Sequence, residues 1–163
     1  MIRLEPMNES EFAQFLERAI PRRAARLVAR GVWVEPEAIE ASRAAYRRAL
    51  PQGLSTPDEH LRHIVRVEGG DRVGEVWYSC RTEGGRLQFW VEWISIEPEH
   101  RRQGLASAAL DLLEAEARRR GAPRIGLDVW IDNPGAIELY RKRGYTTSRA
   151  AMVKPLDGPS DPP

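Results

Sequence analysis

Arg101, Arg102, Gln103, Gly104, Leu105, Ala106 and Ser107 are the residues of this chain whose types and order are best suited to chemistry. Leu105, Ala108, Ala109, Leu112 and Leu113 recur at helical spacing, which predicts a helix opening at that point and burying those five side chains. The first N–H groups of a helix have no intrahelical acceptor and sit at the positive end of its dipole, so such a turn can take a phosphate on its main chain. Gly104 and Ala106 carry almost no side chain and would let a diphosphate lie against the backbone, with Arg101 and Arg102 adding charge beside it. Taken alone, the same turn is equally the plain cap of a helix beside solvated arginines.

A second stretch, about thirty residues on, separates the two readings. A β-rich run from Ile125 to Ile131 is followed by Asn133, a good N-cap, with Pro134 in the first helical position. Gly144 closes a short helix after Arg141, Lys142 and Arg143, as Gly121 closes the longer one after Arg118, Arg119 and Arg120. Strand, phosphate-type turn, long helix, strand and short helix make a β-α-β-α unit with parallel strands.

Arg101-x-x-Gly104-x-Ala106 resembles the pyrophosphate-binding signature of the GCN5-related N-acetyltransferases. Asn133-x-x-Ala136-x-x-Leu139-Tyr140-x-x-x-Gly144-Tyr145 is similar to that superfamily's second acyl-CoA motif. Together the two cover Trp93 to Tyr145, about a third of the chain, and Ala106 stands where glycine is commoner. The resemblance implies an α/β fold built on a mixed, strongly twisted, splayed sheet with helices on both faces. It implies acetyl-CoA as cosubstrate, its diphosphate on the turn from Arg101 to Ser107, its pantetheine arm along the backbone of Ile94, Ser95 and Ile96, and contacts from Asn133, Ala136 and Tyr140. The reaction implied is transfer of an acetyl group to a primary amine, by direct attack in a ternary complex.

The resemblance also suggests who moves protons. Tyr140 stands at the superfamily's thiolate-protonating tyrosine, and a phenol of pKa ~10 can donate to a thiolate whose conjugate acid is near ~8.5. Asp128 occupies the strand position where N-terminal-alanine acetyltransferases carry a glutamate. Glu92 lies close to the glutamate of histone-type members, and Glu75 is a weaker option on the neighbouring strand. Each carboxylate could instead point to solvent or pair with arginine, and a water relay could replace a single base. A backbone N–H near Ile94 to Ile96 would polarise the thioester carbonyl.

These elements sit in a chain of 163 residues, 42% hydrophobic and 30% charged, the composition of a globular protein. Residues 1–156 read as one acyltransferase domain, with Asp157 to Pro163 as a disordered tail. A net charge of +1 argues against a dedicated nucleic-acid binder, and no run approaches the length of a membrane span. Met1 to Glu5 lacks the apolar core of a signal peptide, so a cytoplasmic location is expected. Cys80 alone can form no internal disulfide, and His60, His63 and His100 are not spaced for a metal. The expected partner is a small-molecule or peptide amine, with no nucleic acid, no membrane and no metal, acting as a monomer or homodimer.

Asn8 and Glu11 form a capping-box pattern ahead of Phe12, Phe15, Leu16 and Ala19. Pro21 is expected to kink or divide that helix. Arg22, Arg23, Arg26 and Arg30, and again Arg43, Arg47 and Arg48, read as a solvated helix face interleaved with Glu17, Glu35, Glu37 and Glu40. A second helix from near Pro36 to Leu50 should bury Ile39, Ala45 and Tyr46. Three antiparallel strands, Leu61–Glu68, Val73–Thr82 and Leu87–Ile96, follow with Gly-rich turns between them. Trp77, Trp90, Trp93 and Trp130 suit either an aromatic acceptor pocket or the core. Two other classes stay open: a catalytically silent acyl-CoA-binding sensor, and a nucleic-acid or partner-binding module using the arginines. A P-loop kinase and a dinucleotide dehydrogenase are excluded by the missing Gly-Lys-Ser/Thr and Gly-x-Gly-x-x-Gly.

Overall fold

The computed structural model describes residues 1–154 and 156, so the tail expected from Asp157 to Pro163 lies outside the described residues. Two compact units divide the chain, one from Met1 to Asp128 and a smaller one beginning at Val129. In the larger unit β1 (Ile2–Pro6), β2 (Glu59–Arg66), β3 (Arg72–Glu83), β4 (Arg86–Ile96) and β5 (Ile125–Leu127) form one sheet in sequence order. The first four are antiparallel neighbours and β5 runs parallel to β4, so the sheet is mixed. Helices α1 (Glu9–Ala29) and α2 (Ala38–Ala49) lie on one side, and α3 (Leu105–Arg119) supplies the crossover to β5.

Local chemistry explains most boundaries. The Asn8 side chain accepts from the Glu11 N–H at 3.0 Å, and the Glu11 carboxylate accepts from the Asn8 N–H at 2.8 Å, so two orphan donors of α1 are satisfied. Pro21 does not divide this helix, which runs unbroken from Glu9 to Ala29 with Pro21 on its exposed side. Phe12, Phe15, Ala19, Leu61 and Trp77 are buried together between α1 and the sheet. On the opposite side of the sheet Tyr78 stacks on Phe89 at 5.1 Å, beneath α3.

Two helices are turned relative to their expected faces. In α3 the buried set is Ala109, Leu110, Leu113 and Ala117, while Leu112 is 37% exposed. In α2, Ala38 and Ser42 are buried and Ile39 faces out, because small residues let α2 approach α1 closely enough for the Ser42 hydroxyl to donate to the Ile20 carbonyl at 2.8 Å. The third difference is β5, which ends at Leu127 instead of continuing to Ile131.

The joint between β3 and β4 has no room for side chains at Gly74. A Cβ there would lie 2.2 Å from the Ser95 carbonyl oxygen, a main-chain atom with no freedom to swing away. Gly74→Ala is therefore expected to destabilise by about 2 kcal/mol, the scale of overpacking a core. That would lower the thermal midpoint by roughly 4–8 °C. An unchanged midpoint would show that β4 yields at Ser95.

Candidate active site

The pairing of β4 changes along its length. Phe89, Trp90 and Val91 pair with Ile125, Gly126 and Leu127, and the parallel ladder stops there. From Trp93 to Ile96, β4 pairs among the described residues with β3 alone. The register with β3 also slips at this point: Trp93 pairs with Trp77 and Val91 with Tyr78, so Glu92 is the extra residue of a β-bulge. A bulge re-aims side chains, and here Glu92 and Trp93 both turn to the α1–α2 side. The main chain of Ile94, Ser95 and Ile96 is left as an open edge on the side away from β3.

The turn expected to hold phosphate follows directly. A single 3₁₀ turn, Pro98–His100, leads from β4 to Arg101, whose Nε donates back to the Ile96 carbonyl at 3.0 Å. Arg102 and Gly104 both have positive φ, 59° and 75°, a left-handed conformation that glycine adopts without strain. Space is open around Gly104, with no atom within 4 Å of a Cβ placed there. The first intrahelical bond of α3 runs from the Ala108 N–H to the Gly104 carbonyl at 3.0 Å. The N–H groups of Leu105, Ala106 and Ser107 precede it and have no partner within the helix. Gln103 instead ties the turn to its surroundings, donating to the Glu99 carbonyl at 3.3 Å and accepting from Arg66.

Glu92 heads a cavity of about 500 Å³ lined by Ala45, Arg48, Ala49, Pro51, Thr56, Pro57, Glu59, Trp77, Arg81 and Glu92. Its carboxylate accepts from the Ser79 hydroxyl at 3.0 Å and lies 3.8 Å from the Arg81 guanidinium. Burial raises its pKa above the usual carboxylate range; Ser79 opposes the rise, Glu59 adds to it, Arg81 opposes it and Asp128 adds to it. Glu59 is itself engaged, accepting from the Trp77 indole at 2.5 Å and from the Arg81 Nε at 3.0 Å. Asp128, just past β5, is exposed and is close enough to Glu92 to influence its ionisation. Glu75, the weaker option on β3, is only 4% exposed and salt-bridged to Arg18 at 3.0 Å and Arg22 at 3.4 Å, so its proton-accepting oxygens are engaged.

Glu59, Ser79 and Arg81 do not stand out as site residues in the sequence. The signal is strand alternation: Glu75, Trp77, Ser79 and Arg81 share one side of β3, and the true start of β2 at Glu59 puts that carboxylate opposite them. The histidines have structural surroundings. The His60 ring packs at a tilt against Tyr78, 4.8 Å between centres, and His63 Nε2 lies 3.4 Å from Glu11.

In the unit beginning at Val129, Asn133 accepts from the Ala136 N–H at 3.3 Å and so caps α4 (Pro134–Lys142). Tyr140, on that helix, is half-buried with its ring 5.7 Å from Tyr145. Burial pushes its phenol above the usual value, which keeps it protonated at neutral pH.

A mixed sheet with an open β4 edge leads here through a positive-φ turn into a helix. The chain belongs to the acetyltransferase (GNAT) family, whose profile matches residues 23–145. It is 31% identical over 153 residues to a Bacillus subtilis protein named uncharacterized N-acetyltransferase YdgE, a match spanning 94% of this chain and 97% of that one. It is 29% identical over 155 residues to a protein of the same organism named uncharacterized N-acetyltransferase YycN, spanning 95% of this chain and 99% of that one. The crystal structure of YycN superposes with a TM-score of 0.88 over 96% of this chain and 99% of that one. A shorter match, 36% over 70 residues, covers 42% of this chain and 47% of the ribosomal protein bS18-alanine N-acetyltransferase of Escherichia coli.

The surroundings of Glu92 make a signed expectation. Followed by carboxyl-carbon NMR, its titration midpoint should lie above the ~4.3 of a free glutamate. Ser79→Ala should raise that midpoint further and Glu59→Gln should lower it. Because the folded-state value is raised, the contribution of Glu92 to stability is fully present below its unfolded pKa and is lost as pH rises through the folded one. A midpoint at or below ~4.3, indifferent to Ser79→Ala, would contradict this environment.

Proposed function

We propose that this protein transfers an acetyl group from acetyl-CoA to a primary amine by direct attack within a ternary complex. The single observation that carries the reading is the open edge of β4 at Ile94–Ile96, continuous with the positive-φ turn at Arg102–Gly104. An extended pantetheine arm is a strand-like ligand and can use the main-chain groups that the sheet leaves unpaired. The diphosphate would rest on the N–H groups of Gly104, Leu105, Ala106 and Ser107, with Arg101 and Arg102 beside it and Gln103 bracing the turn. Asn133, Ala136 and Tyr140 are assigned to the cofactor by the second motif.

Four tasks then have owners. The turn binds, and a main-chain N–H at Ile94 to Ile96 polarises the thioester carbonyl. Glu92 accepts the proton of the attacking amine as the C–N bond forms. Its raised pKa brings it nearer neutrality, where a base is most effective, and it borders a cavity able to admit an acceptor. Asp128 acts with Glu92 as a neighbouring negative charge and is the alternative base. As the C–S bond breaks, the leaving thiolate takes a proton from the Tyr140 hydroxyl.

The acceptor is a small-molecule amine or a peptide N-terminus, the latter suggested by the alanine N-acetyltransferase relative. A cytoplasmic setting, as a single acyltransferase domain, is proposed with it. No helix among the described residues is long and apolar enough to cross a membrane.

Differential scanning fluorimetry with acetyl-CoA, CoA, ATP and NAD tests the donor. Stabilisation is expected from the first two and should be lost in Gly104→Glu, which places bulk and negative charge on the diphosphate seat. Stabilisation by ATP or NAD without acetyl-CoA would overturn the reading. In turnover, Tyr140→Phe and Glu92→Gln should each cost roughly 10²–10⁴-fold in kcat, the range for a lost proton-transfer group, with CoA affinity little changed. Equal rates in mutant and parent would remove that residue from the mechanism.

A further inference from the structure

The inward stripe of α1 changes character halfway along the helix. Phe12, Phe15 and Ala19 are buried against Leu61 and Trp77, and the next positions at that spacing are Arg22 and Arg26. These arginines are therefore not the solvated face that their interleaving with glutamates suggested. The Arg22 and Arg26 guanidiniums lie 4.1 and 5.0 Å from the centre of the Trp93 ring, and Arg23 lies 5.5 Å from Trp33.

Charge at this place is unbalanced. Glu75, on β3, faces the group, but Arg18 and Arg22 both engage it. Tyr46, from α2, contributes a phenol that burial keeps above its ordinary value. Arg26 is held below the usual guanidinium range, by burial first and then by Arg30, with Tyr46 opposing and Arg22 and Arg23 adding to the fall. The Nε atoms of Arg23 and Arg26 and the indole Nε1 of Trp93 are buried without a hydrogen-bond acceptor. Buried donors without acceptors and crowded like charges both oppose folding. The three arginines are only partly buried, and a ligand that brings negative charge to their guanidiniums relieves the crowding.

The position in the sheet says which ligand. Trp93 stands between Glu92, at the bulge, and Ile94–Ile96, the open edge. We propose that Arg22 and Arg26, above Trp93, together with Arg23, above Trp33, hold an acidic group of the acceptor, a carboxylate or a phosphate, so that the amine acetylated carries a negative charge elsewhere on the same molecule. This deepens the acetyltransferase reading and rests on it for the identity of the acceptor.

The test is thermal melting at fixed ionic strength, with and without saturating CoA, against inorganic phosphate, succinate and 1,4-diaminobutane. Saturating CoA blocks the donor's own diphosphate seat, so any further shift comes from elsewhere. Phosphate or succinate is expected to raise the midpoint by about 3–6 °C at tenfold excess over its Kd. Whichever acid is stronger names the acidic group. The shift should vanish in Arg26→Gln and in Arg23→Gln, and persist in Arg43→Gln, whose guanidinium pairs with Glu40 on the outside of α2. Should Arg26→Gln fail to fold, Arg23→Gln carries the same comparison. Equal shifts in all variants, no shift with either acid, or a rise with the diamine alone would overturn the proposal. Failure of CoA itself to stabilise would instead strike the donor reading, and the CoA-free arm would still decide whether an anion binds these arginines.

Discussion

A β-strand inside a sheet has two edges to satisfy, and β4 satisfies both only from Phe89 to Val91. Beyond the bulge at Glu92 the strand continues from Trp93 to Ile96 with β3 on one side and no β5 on the other. Main-chain groups left in that state favour an extended ligand, and the geometry maintains the gap. The bulge at Glu92 changes the twist of β4 where the ladder to β5 ends. Gly74 lets β3 press close enough to hold the Ser95 main chain in place from behind. The Arg101 guanidinium ties the following turn back to Ile96. Each of these contacts serves the same end, a stiff half-strand with one side free.

Polar groups on the α1–α2 side follow the same logic of a surface prepared for something else. A hydrophobic stripe that ends in Arg22 and Arg26, and a carboxylate at Glu92 set among Ser79, Arg81 and Glu59, are poor choices for a core. Aromatic partners reduce the cost: Trp93 beneath the guanidiniums and Trp77 donating to Glu59. Lone Cys80 behaves in the opposite way. It is buried, with its thiol pushed up to about 11, which marks it as packing and not as a nucleophile.

Much of this was legible in the residues alone. The capping box at Asn8, the Gly-rich hairpin turns, the glycine opening α3 and the Asn133–Pro134 start of α4 are local signals, and local signals survive folding. Facing was harder. Leu112 belongs to the helical stripe read from the sequence and Leu110 does not, and only the approach of the sheet decides that Leu110 is buried and Leu112 is not. Ile39 looked like core because it is apolar, yet close helix packing favoured Ala38 and Ser42. The arginines of α1 sit at core spacing, but charged residues are read outward by default. The bulge at Glu92 and the early start of β2 at Glu59 are non-local facts of register, set by pairing with β3 and not by either strand's own sequence.

Amide hydrogen exchange, residue by residue, with and without acetyl-CoA, addresses the central claim most directly. Protection should rise at the Ile94 to Ile96 amides and at Gly104 to Ser107, while β1 and the outer part of β2 are unaffected. Protection confined to other parts of the chain, with Ile94–Ile96 exchanging as before, would mean that the open edge of β4 is not where the acyl donor lies.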